Sequence, residues 1–259
     1  MGVYLEDNPP ARTQFFTTRR ARVTGAIVVH TAENNTDTTL PDDGAEAVAR
    51  FIARRTDAAG SYHTIVDSDS ILQLGRYEWE MFHEGTGGNR WSLGLSFACL
   101  AAQWPTLPEA WFVGALRNGA QEAATMARWV QDTVGVTVPA LRITAAQYRS
   151  AQPGFIGHAE LDPARRTDPG PDFPWGEFLE LYAAAMNPGP SPPPGGMELN
   201  VLYHEAMADL DELWLAYRGN VPTPAERRSW SRDIAQKIFA RGEDPKATLA
   251  FIEHVLRIE

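Results

Sequence analysis

A run of ten residues, NPGPSPPPGG at 187–196, sets the strongest limit on how this chain can fold. Eight of the ten are proline or glycine. Proline lacks the backbone N–H that helices and central strands require, and glycine weakens both kinds of element. The run therefore predicts a semi-extended linker. It divides the 259 residues into an amino-terminal domain, 1–186, and a carboxy-terminal module, 197–259.

The amino-terminal domain alternates between strand and helix patterns. Strands are predicted by GAIVVH at 25–30, by YHTIVDSDSILQLG at 62–75, which reads as two strands around a turn, and by SLGLSFACLA at 92–101. Apolar residues at helical spacing predict helices at 42–55, 109–136 and 175–186. This alternation indicates an α/β domain, a mixed β-sheet flanked by helices.

The carboxy-terminal module has only helical patterns. Amphipathic stretches at 197–219, 223–242 and 244–259 predict three helices. Thr223 and Asp244 each precede a proline, an arrangement typical of helix starts. Three helices in about 60 residues bury little surface, so we expect a small all-α module that packs on a partner.

Composition excludes several classes of function. The chain has 33 acidic and 23 basic residues, a formal charge of −10, and no long basic run, which argues against nucleic acid as a partner. No apolar stretch approaches the ~20 residues that span a bilayer, and the first residues do not resemble a signal peptide. We therefore expect no membrane insertion. Cys99 is the only cysteine, so no disulfide forms within the chain, and its apolar surroundings predict a buried side chain.

Two histidines and an aspartate suggest a metal site. His30 ends the predicted strand at 25–30, while His158 and Asp168 lie ten residues apart in GHAELDPARRTDPGPDFPW, 157–175. The prolines keep these two residues off a common helix, so one loop can bring both side chains to one point. Two imidazoles and a carboxylate suit zinc, with the fourth tetrahedral position left to water. The spacing alone leaves a structural role open.

Four segments together resemble a known family. They are AIVVHTAE, SYHTIVDSDSILQL, MFHEGTGGNRWSLGLSF and GHAELDPARRTDPGPDFPW. In order and form they are similar to the zinc-dependent N-acetylmuramoyl-L-alanine amidases of the amidase-2 type, which include phage lysins, amidases of muropeptide recycling and peptidoglycan recognition proteins. The resemblance covers 22–186. It implies a mixed sheet flanked by helices, one zinc ion in a surface groove, and hydrolysis of the amide bond between N-acetylmuramic acid and L-alanine in bacterial peptidoglycan.

The resemblance also implies roles for individual residues. His30, His158 and Asp168 match the three zinc ligands. Tyr62 matches a tyrosine that lies beside the metal in phage relatives and assists catalysis. Arg166 stands where many members carry a lysine that stabilises the oxyanion; arginine keeps the charge but does not readily give up a proton.

Three further residues are candidates for contact with the muropeptide. His83 and Asn89 match that groove segment, and Trp91 is expected either to stack on sugar or to pack in the domain. His63 follows Tyr62, and strand alternation favours a core or supporting role for it.

One position departs from the recycling-type amidases. They carry a glutamate where this chain has Ser96, although recognition proteins also have serine there. The expected general base therefore shifts to Tyr62, Glu33 or Glu84, or to zinc-bound water acting alone.

The expected biology is that of a phage lysin. Such an enzyme accumulates in the host cytoplasm and reaches the cell wall through a holin, which fits a chain with no signal peptide, and the arginine-rich, lysine-poor composition suggests an actinobacterial host. Two alternatives stay open: a virion tail amidase used in entry, and a non-catalytic peptidoglycan-binding protein. The module at 197–259 would then bind either the cell wall or a phage tail protein.

Overall fold

The computed structural model describes residues 22–39, 41–55 and 60–187, together with the backbone of two short strands, Gly2–Val3 and Phe16–Thr17. These residues, apart from Asn187, belong to the first of two units into which the chain divides, Met1–Met186. The rest of the predicted linker at 187–196 and the predicted helical module at 197–259 lie outside the described residues.

A six-stranded mixed sheet forms the centre of the described domain. Its strands are β1 (Gly2–Val3), β3 (Ala26–Thr31), β4 (Thr64–Val66), β5 (Ile71–Gln73), β7 (Leu93–Phe97) and β8 (Gly154–Gly157), and a separate antiparallel pair joins β2 (Phe16–Thr17) to β6 (Glu80–Met81). The strand order is β1-β5-β4-β7-β3-β8. Only β4 and β5 pair in antiparallel fashion within the large sheet, as a hairpin. The predicted α/β class with a mixed sheet is confirmed.

Among the described residues, five α-helices accompany the sheet. They are α1 (Gly44–Arg54), α2 (Glu109–Val134), α3 (Ala145–Arg149), α4 (His158–Leu161) and α5 (Trp175–Met186). The three long ones were predicted, but α2 ends two residues before the predicted end. Gly135 adopts a left-handed conformation (φ 71°) and stops the helix. Among the described residues, no helix has both the length and the apolar content to cross a membrane.

Side-chain alternation in β3 separates the core from the candidate site. Ile27 and Val29 belong to the large apolar cluster that contains the buried faces of α2 and α5. Ala26 and Val28 belong to a different cluster. Because successive strand residues point to opposite faces, His30 lies on the face of Ala26 and Val28, away from the two long helices.

Strand β8 was not predicted, although it positions the site. Its sequence, GFIG, is only four residues long and has glycine at both ends, so it gives no recognisable strand pattern. Gly154 is required here because a Cβ atom would lie 2.8 Å from the carbonyl oxygen of Leu141, and its φ is +141°. The strand lies beside β3 in the sheet.

Candidate metal centre

Two neighbouring parallel strands bring His30 and His158 together. Val29 of β3 pairs with Gly157 of β8, and each histidine is the next residue along its chain. Both therefore leave the sheet at the same level and at the same edge. Asp168 reaches the same point from the loop that follows α4, and all three side chains are buried.

The three predicted ligands converge on one point. Nδ1 of His30 lies 3.1 Å from Nδ1 of His158 and 2.9 Å from Oδ2 of Asp168, and the third separation, from His158 Nδ1 to Asp168 Oδ2, is 3.1 Å. Ligand atoms in a tetrahedral zinc site, each about 2.0–2.2 Å from the metal, lie roughly 3.3 Å apart. The arrangement therefore fits a metal ion held by two nitrogens and one oxygen.

The outer nitrogen of each ligand histidine has a partner from one loop. Nε2–H of His158 donates to the backbone carbonyl of Glu84 at 3.0 Å. A carbonyl only accepts, so Nε2 carries the proton and Nδ1 of a neutral His158 presents its lone pair to the other ligands. Nε2 of His30 lies 3.2 Å from Nδ1 of His83.

The electrostatic surroundings favour the protonation states that bind metal. Burial lowers the pKa of His30 to about 4, although Asp168 opposes the shift. Burial alone would raise the pKa of Asp168, but the adjacent His158 and His30 rings outweigh it and hold that pKa below its usual range. At neutral pH a neutral His30 therefore faces an ionised Asp168, as metal ligation requires.

Tyr62 lies beside the metal-binding group. Its ring centroid is 5.2 Å from that of His30. Burial, with an added contribution from the charge of Asp168, raises the pKa of Tyr62 to about 12. The phenol thus keeps its proton at neutral pH and can donate a hydrogen bond, which speaks against Tyr62 as a general base.

Arg166 places a positive charge at the edge of the group. The side chain is exposed. Its charge contributes to the lowered pKa of His30 and opposes the rise in the pKa of Tyr62. The neighbouring Arg165 instead forms an ion pair with Asp162. Of the two arginines in the loop, Arg166 is the one whose charge acts on both residues.

The site lies within a segment that matches a known family. A family model described as N-acetylmuramoyl-L-alanine amidase matches residues 19–171, more than half of the 259 residues. The chain belongs to the N-acetylmuramoyl-L-alanine amidase family. The matched segment contains His30, His158 and Asp168, and the predicted amidase activity and peptidoglycan-hydrolase class are confirmed by this membership.

Several solved structures are similar to the amidase. A Staphylococcus aureus hydrolase, AmiA, covers 69% of this chain and 82% of its own at 17% identity, with a TM-score of 0.46. The catalytic domain of XlyA covers 67% and 94% at 18% identity and a TM-score of 0.45. The N-acetylmuramoyl-L-alanine amidase LysC from Clostridium intestinale covers 66% and 89% at 16% identity, with a TM-score of 0.38. Comparison with curated proteins gives no match.

The two glutamates considered as bases differ in their surroundings. Glu84 is buried, and its carboxylate accepts hydrogen bonds from the backbone of Gly88 and Asn89 and from the hydroxyl of Thr86. This carboxylate holds its own loop together. Glu33 is exposed, and its charge contributes to the raised pKa of Tyr62.

Glu33 is also held in an uncommon conformation. Its φ is +54°, in the left-handed region that residues with a Cβ rarely occupy. Its Oε1 accepts hydrogen bonds from the Thr31 hydroxyl at 2.6 Å and the Ala101 N–H at 3.0 Å. The carboxylate of Glu33 is therefore fixed at the end of β3, three residues after His30.

Of the three residues expected to contact substrate, His83 contacts one of the predicted metal ligands. His83 is buried, with one ring nitrogen facing His30. Asn89 accepts hydrogen bonds from the N–H groups of His83 and Glu84, both at 2.9 Å. Trp91 is half-buried, 6.2 Å from the Tyr148 ring between centroids. Substrate contact by these residues stays a prediction.

His63 has a supporting role, as predicted. It is fully buried; Nδ1 accepts a hydrogen bond from the N–H of Gly94 at 2.9 Å, and Nε2–H donates to the carbonyl of Trp79 at 3.0 Å. The bond from Gly94 connects the start of β4 to β7, and the bond to Trp79 connects it to the segment before β6. Cys99 is buried too, and burial raises the pKa of its thiol well above the usual value, so it is not an activated nucleophile.

Two residues behind His83, Ser92 and Tyr148, were not predicted from the sequence. The hydroxyl of Ser92 lies 3.2 Å from Nε2 of His83, and the Tyr148 hydroxyl donates to it at 2.9 Å. Nothing in the pattern around Tyr148 points to the site, since it lies 56 residues from Ser92 in the chain. A glycine at position 88, where a Cβ atom would overlap the Tyr148 hydroxyl, is the one local sign of a close approach.

A separate cluster of three carboxylates, Asp42, Asp67 and Asp69, stabilises the start of α1. Oδ1 of Asp42 accepts the Gly44 N–H, and Oδ2 of Asp67 accepts the Ala45 N–H at the start of α1. Oδ2 of Asp69 accepts the N–H of Asp42. These oxygens satisfy backbone donors that the helix end leaves unpaired, which accounts for the cluster.

Proposed function

We propose that this amidase depends on one zinc ion and cleaves the amide bond between N-acetylmuramic acid and L-alanine in peptidoglycan. The observation that carries the proposal is the convergence of Nδ1 of His30, Nδ1 of His158 and Oδ2 of Asp168 within 3.1 Å of one another. Two imidazole nitrogens and a carboxylate oxygen that converge this closely in a buried place can share one cation.

His30, His158 and Asp168 would hold the zinc ion. The set contains no thiolate, and two neutral imidazoles with one carboxylate are common ligands of zinc in hydrolases. When bound, the ion lowers the pKa of a water molecule and polarises the carbonyl of the scissile amide.

Tyr62 and Arg166 would stabilise the negative charge that develops on the amide oxygen. Tyr62 keeps its proton because its pKa is raised to about 12, so its hydroxyl is a hydrogen-bond donor. Arg166 supplies a permanent positive charge at the exposed side of the group. Donors placed in advance around a developing oxyanion are usually a large contribution to catalysis.

Glu33 is the carboxylate best placed to accept the proton from the attacking water. Ser96, which pairs with His30 in register, offers no carboxylate at its position. The carboxylate of Glu84 is bonded to its own loop. Oε1 of Glu33 is held by Thr31 and Ala101 after the end of β3, and the residue is exposed to solvent.

Metal analysis and product identification test this function together. We expect the purified chain to contain about one zinc ion, to lose activity on chelation and to regain it with zinc. Digestion of a muramoyl peptide should yield a new amino terminus at L-alanine and free N-acetylmuramic acid. A chain with stoichiometric zinc and no such product would overturn the proposed reaction, and full activity after complete metal removal would overturn the metal requirement.

We further propose that the amidase is a bacteriophage lysin, moving from the host cytoplasm to the cell wall. The sequence pattern of an amidase domain, a Pro/Gly linker at 187–196 and a helical module at 197–259 supports this role. The alternative is a virion protein in which the module binds another tail component. Mass spectrometry of purified particles separates the two: the protein is absent from particles in the first case and present in stoichiometric amount in the second.

A further inference from the structure

Ser92 is surrounded by groups that determine where its proton goes. The Tyr148 hydroxyl donates to Oγ of Ser92 at 2.9 Å. Oγ in turn donates to the backbone carbonyl of Gly88, also at 2.9 Å. A carbonyl oxygen can only accept, so the single proton of Ser92 is directed to Gly88. Toward its next neighbour, His83, Oγ is therefore an acceptor.

Hydrogen bonds to Ser92 set the tautomer of His83. Its Nε2 lies 3.2 Å from Oγ of Ser92 and 3.4 Å from the carbonyl oxygen of the same residue. Both of these oxygens accept, so Nε2 carries the proton of a neutral imidazole. Nδ1 of His83 is then left with a lone pair, and it faces Nε2 of His30 at 3.2 Å.

The same reasoning extends to His30. Its Nε2 faces the lone pair of His83 and must be the donor, so a neutral His30 has no proton on Nδ1. That nitrogen is the one directed at His158 and Asp168. The hydrogen bonds from Tyr148 to His30 thus leave a free electron pair at the point where the ligands meet.

The fold holds these rings at close range. A Cβ atom at position 94 would lie 2.7 Å from Cγ of His83, so Gly94 of β7 leaves the space that the imidazole occupies. A Cβ at position 88 would overlap the Tyr148 hydroxyl. His83 and Ser92 are both buried, so water does not easily replace either hydrogen bond.

We propose that Tyr148, Ser92 and His83 form a relay of positioning residues that sets the tautomer of His30 for metal binding. The inference rests on the proposed zinc function and adds to it a reason for three buried polar residues that do not touch the metal. The Glu84 carbonyl sets the tautomer of His158 directly. The segment 83–92 therefore sets the tautomers of both histidine ligands.

Zinc affinity of the full chain tests the relay. The dissociation constant is measured by competition with a chromophoric chelator after metal removal. Replacement of a partner that orients a metal ligand weakens binding by about 10- to 100-fold, and we expect this for His83→Leu. Ser92→Ala should weaken binding by a smaller factor, because the backbone carbonyl of residue 92, 3.4 Å from Nε2 of His83, can still accept its proton. Tyr148→Phe should weaken binding less, because Ser92 can still accept from His83. In His83→Asn the amide oxygen can accept from His30, so most of the affinity should return.

One control variant and one spectroscopic measurement separate the relay from a general loss of stability. Tyr182 is buried, and its hydroxyl donates to the Val138 carbonyl at 2.7 Å. Tyr182→Phe therefore removes one buried hydrogen bond, as Tyr148→Phe does, and should leave zinc affinity unchanged. The absorption bands of the cobalt-substituted protein report the ligand field; they should change in His83→Leu and recover in His83→Asn.

The outcomes distinguish this proposal from the proposed function. Wild-type zinc affinity and an unaltered cobalt spectrum in His83→Leu, with binding lost in His30→Ala, would overturn the relay alone. If His83→Leu does not fold, unchanged affinity in both Ser92→Ala and Tyr148→Phe overturns it equally. A wild-type chain that binds no zinc would overturn the metal site and the relay together.

Discussion

At the scale of single residues, His158 is the ligand whose loss is easiest to interpret. Its side chain is buried at the end of β8, and its two nitrogens contact Asp168 and the Glu84 carbonyl. Its backbone begins α4, so truncation of the ring leaves the sheet pairing intact. The role of this residue is therefore separable from folding.

We expect His158→Ala to abolish zinc binding and amidase activity while the secondary structure is retained. Two ligands are not enough to hold zinc against water, because structural and catalytic sites use three or four protein ligands. Elemental analysis, a muramoyl-peptide assay and circular dichroism check the three parts. His204→Ala, in a predicted helix of the carboxy-terminal module, is the matched control. Unchanged hydrolysis in His158→Ala would contradict the assignment.

Arg166 tests whether charge alone is sufficient at its position. Arg166→Lys keeps the positive charge and should retain most activity, whereas Arg166→Gln should lower kcat by about 100- to 1000-fold, the usual effect of removing an oxyanion donor. Because the side chain is exposed, neither change should alter stability by much. Steady-state kinetics and thermal melts are the measurements. A large loss in Arg166→Lys would show that the planar guanidinium geometry is needed.

Glu33→Gln tests the proposed general base. Glutamine can still accept hydrogen bonds from Thr31 and Ala101 through one oxygen, but it cannot take a proton. We expect kcat to fall by about 100-fold or more, in the range that general-base catalysis contributes, with the zinc dissociation constant unchanged. Retained kcat would transfer the role to water bound at the metal. Loss of zinc along with kcat would instead indicate a structural effect of the substitution.

At the scale of elements, strands were predicted better than the loops that complete the site. The apolar runs of β3 and β7 depend on local composition, and both were recognised from their patterns. Asp168 depends on tertiary contacts: its carbonyl accepts the Ala159 N–H at 2.7 Å, and the next carbonyl, of Pro169, accepts the Trp104 indole at 2.8 Å. No local pattern shows that Trp104 approaches this loop. Spacing and residue chemistry therefore made Asp168 a candidate ligand with a structural role left open, and the family resemblance was needed to choose between the two.

A buried carboxyl group, that of Glu122 in α2, is hydrogen-bonded to β4. Oε1 of Glu122 accepts hydrogen bonds from the hydroxyls of Thr64 and Tyr77, both at 2.6 Å, while Oε2 is buried with no hydrogen-bond partner among the described residues. Burial raises the pKa of Glu122 above its usual value of 4.5, although both hydroxyls oppose the shift. Folding thus disfavours the ionised form of this carboxyl relative to the unfolded chain.

This shift makes stability depend on pH. A carboxyl whose pKa is higher in the folded than in the unfolded chain contributes its full stability below pH 4.5, and that contribution declines as the pH rises toward the folded value. Glu122→Gln keeps the shape and cannot ionise. We expect its melting temperature to exceed that of the wild type at pH 8 by more than at pH 4, with each unit of raised pKa worth about 1.4 kcal/mol. An equal difference at both pH values would contradict a raised pKa of Glu122 in the folded domain.

At the scale of the whole molecule, the residues proposed to carry the chemistry all lie in the amino-terminal domain. The family match ends at residue 171, and α5, which closes the core through Phe178 and Tyr182, ends at Met186. The proposed ligands, Tyr62 and Arg166 all precede this point. The module at 197–259 therefore has no predicted part in the reaction, and its contribution should be to place the enzyme.

A chain that stops at Asn187 separates these two contributions. Among the described residues, the core clusters are formed by residues up to Met186. We therefore expect the shortened chain to fold, bind zinc and hydrolyse a soluble muramoyl peptide with kcat/KM close to that of the full chain. On intact cell walls, where local concentration at the surface governs the rate, its activity should fall by at least 10-fold if the module binds the wall. Equal activity on walls would point to assembly with another protein as the module's role. A shortened chain that fails to fold would contradict the division into an independent amidase domain, because the buried surface it needs would then lie beyond the linker.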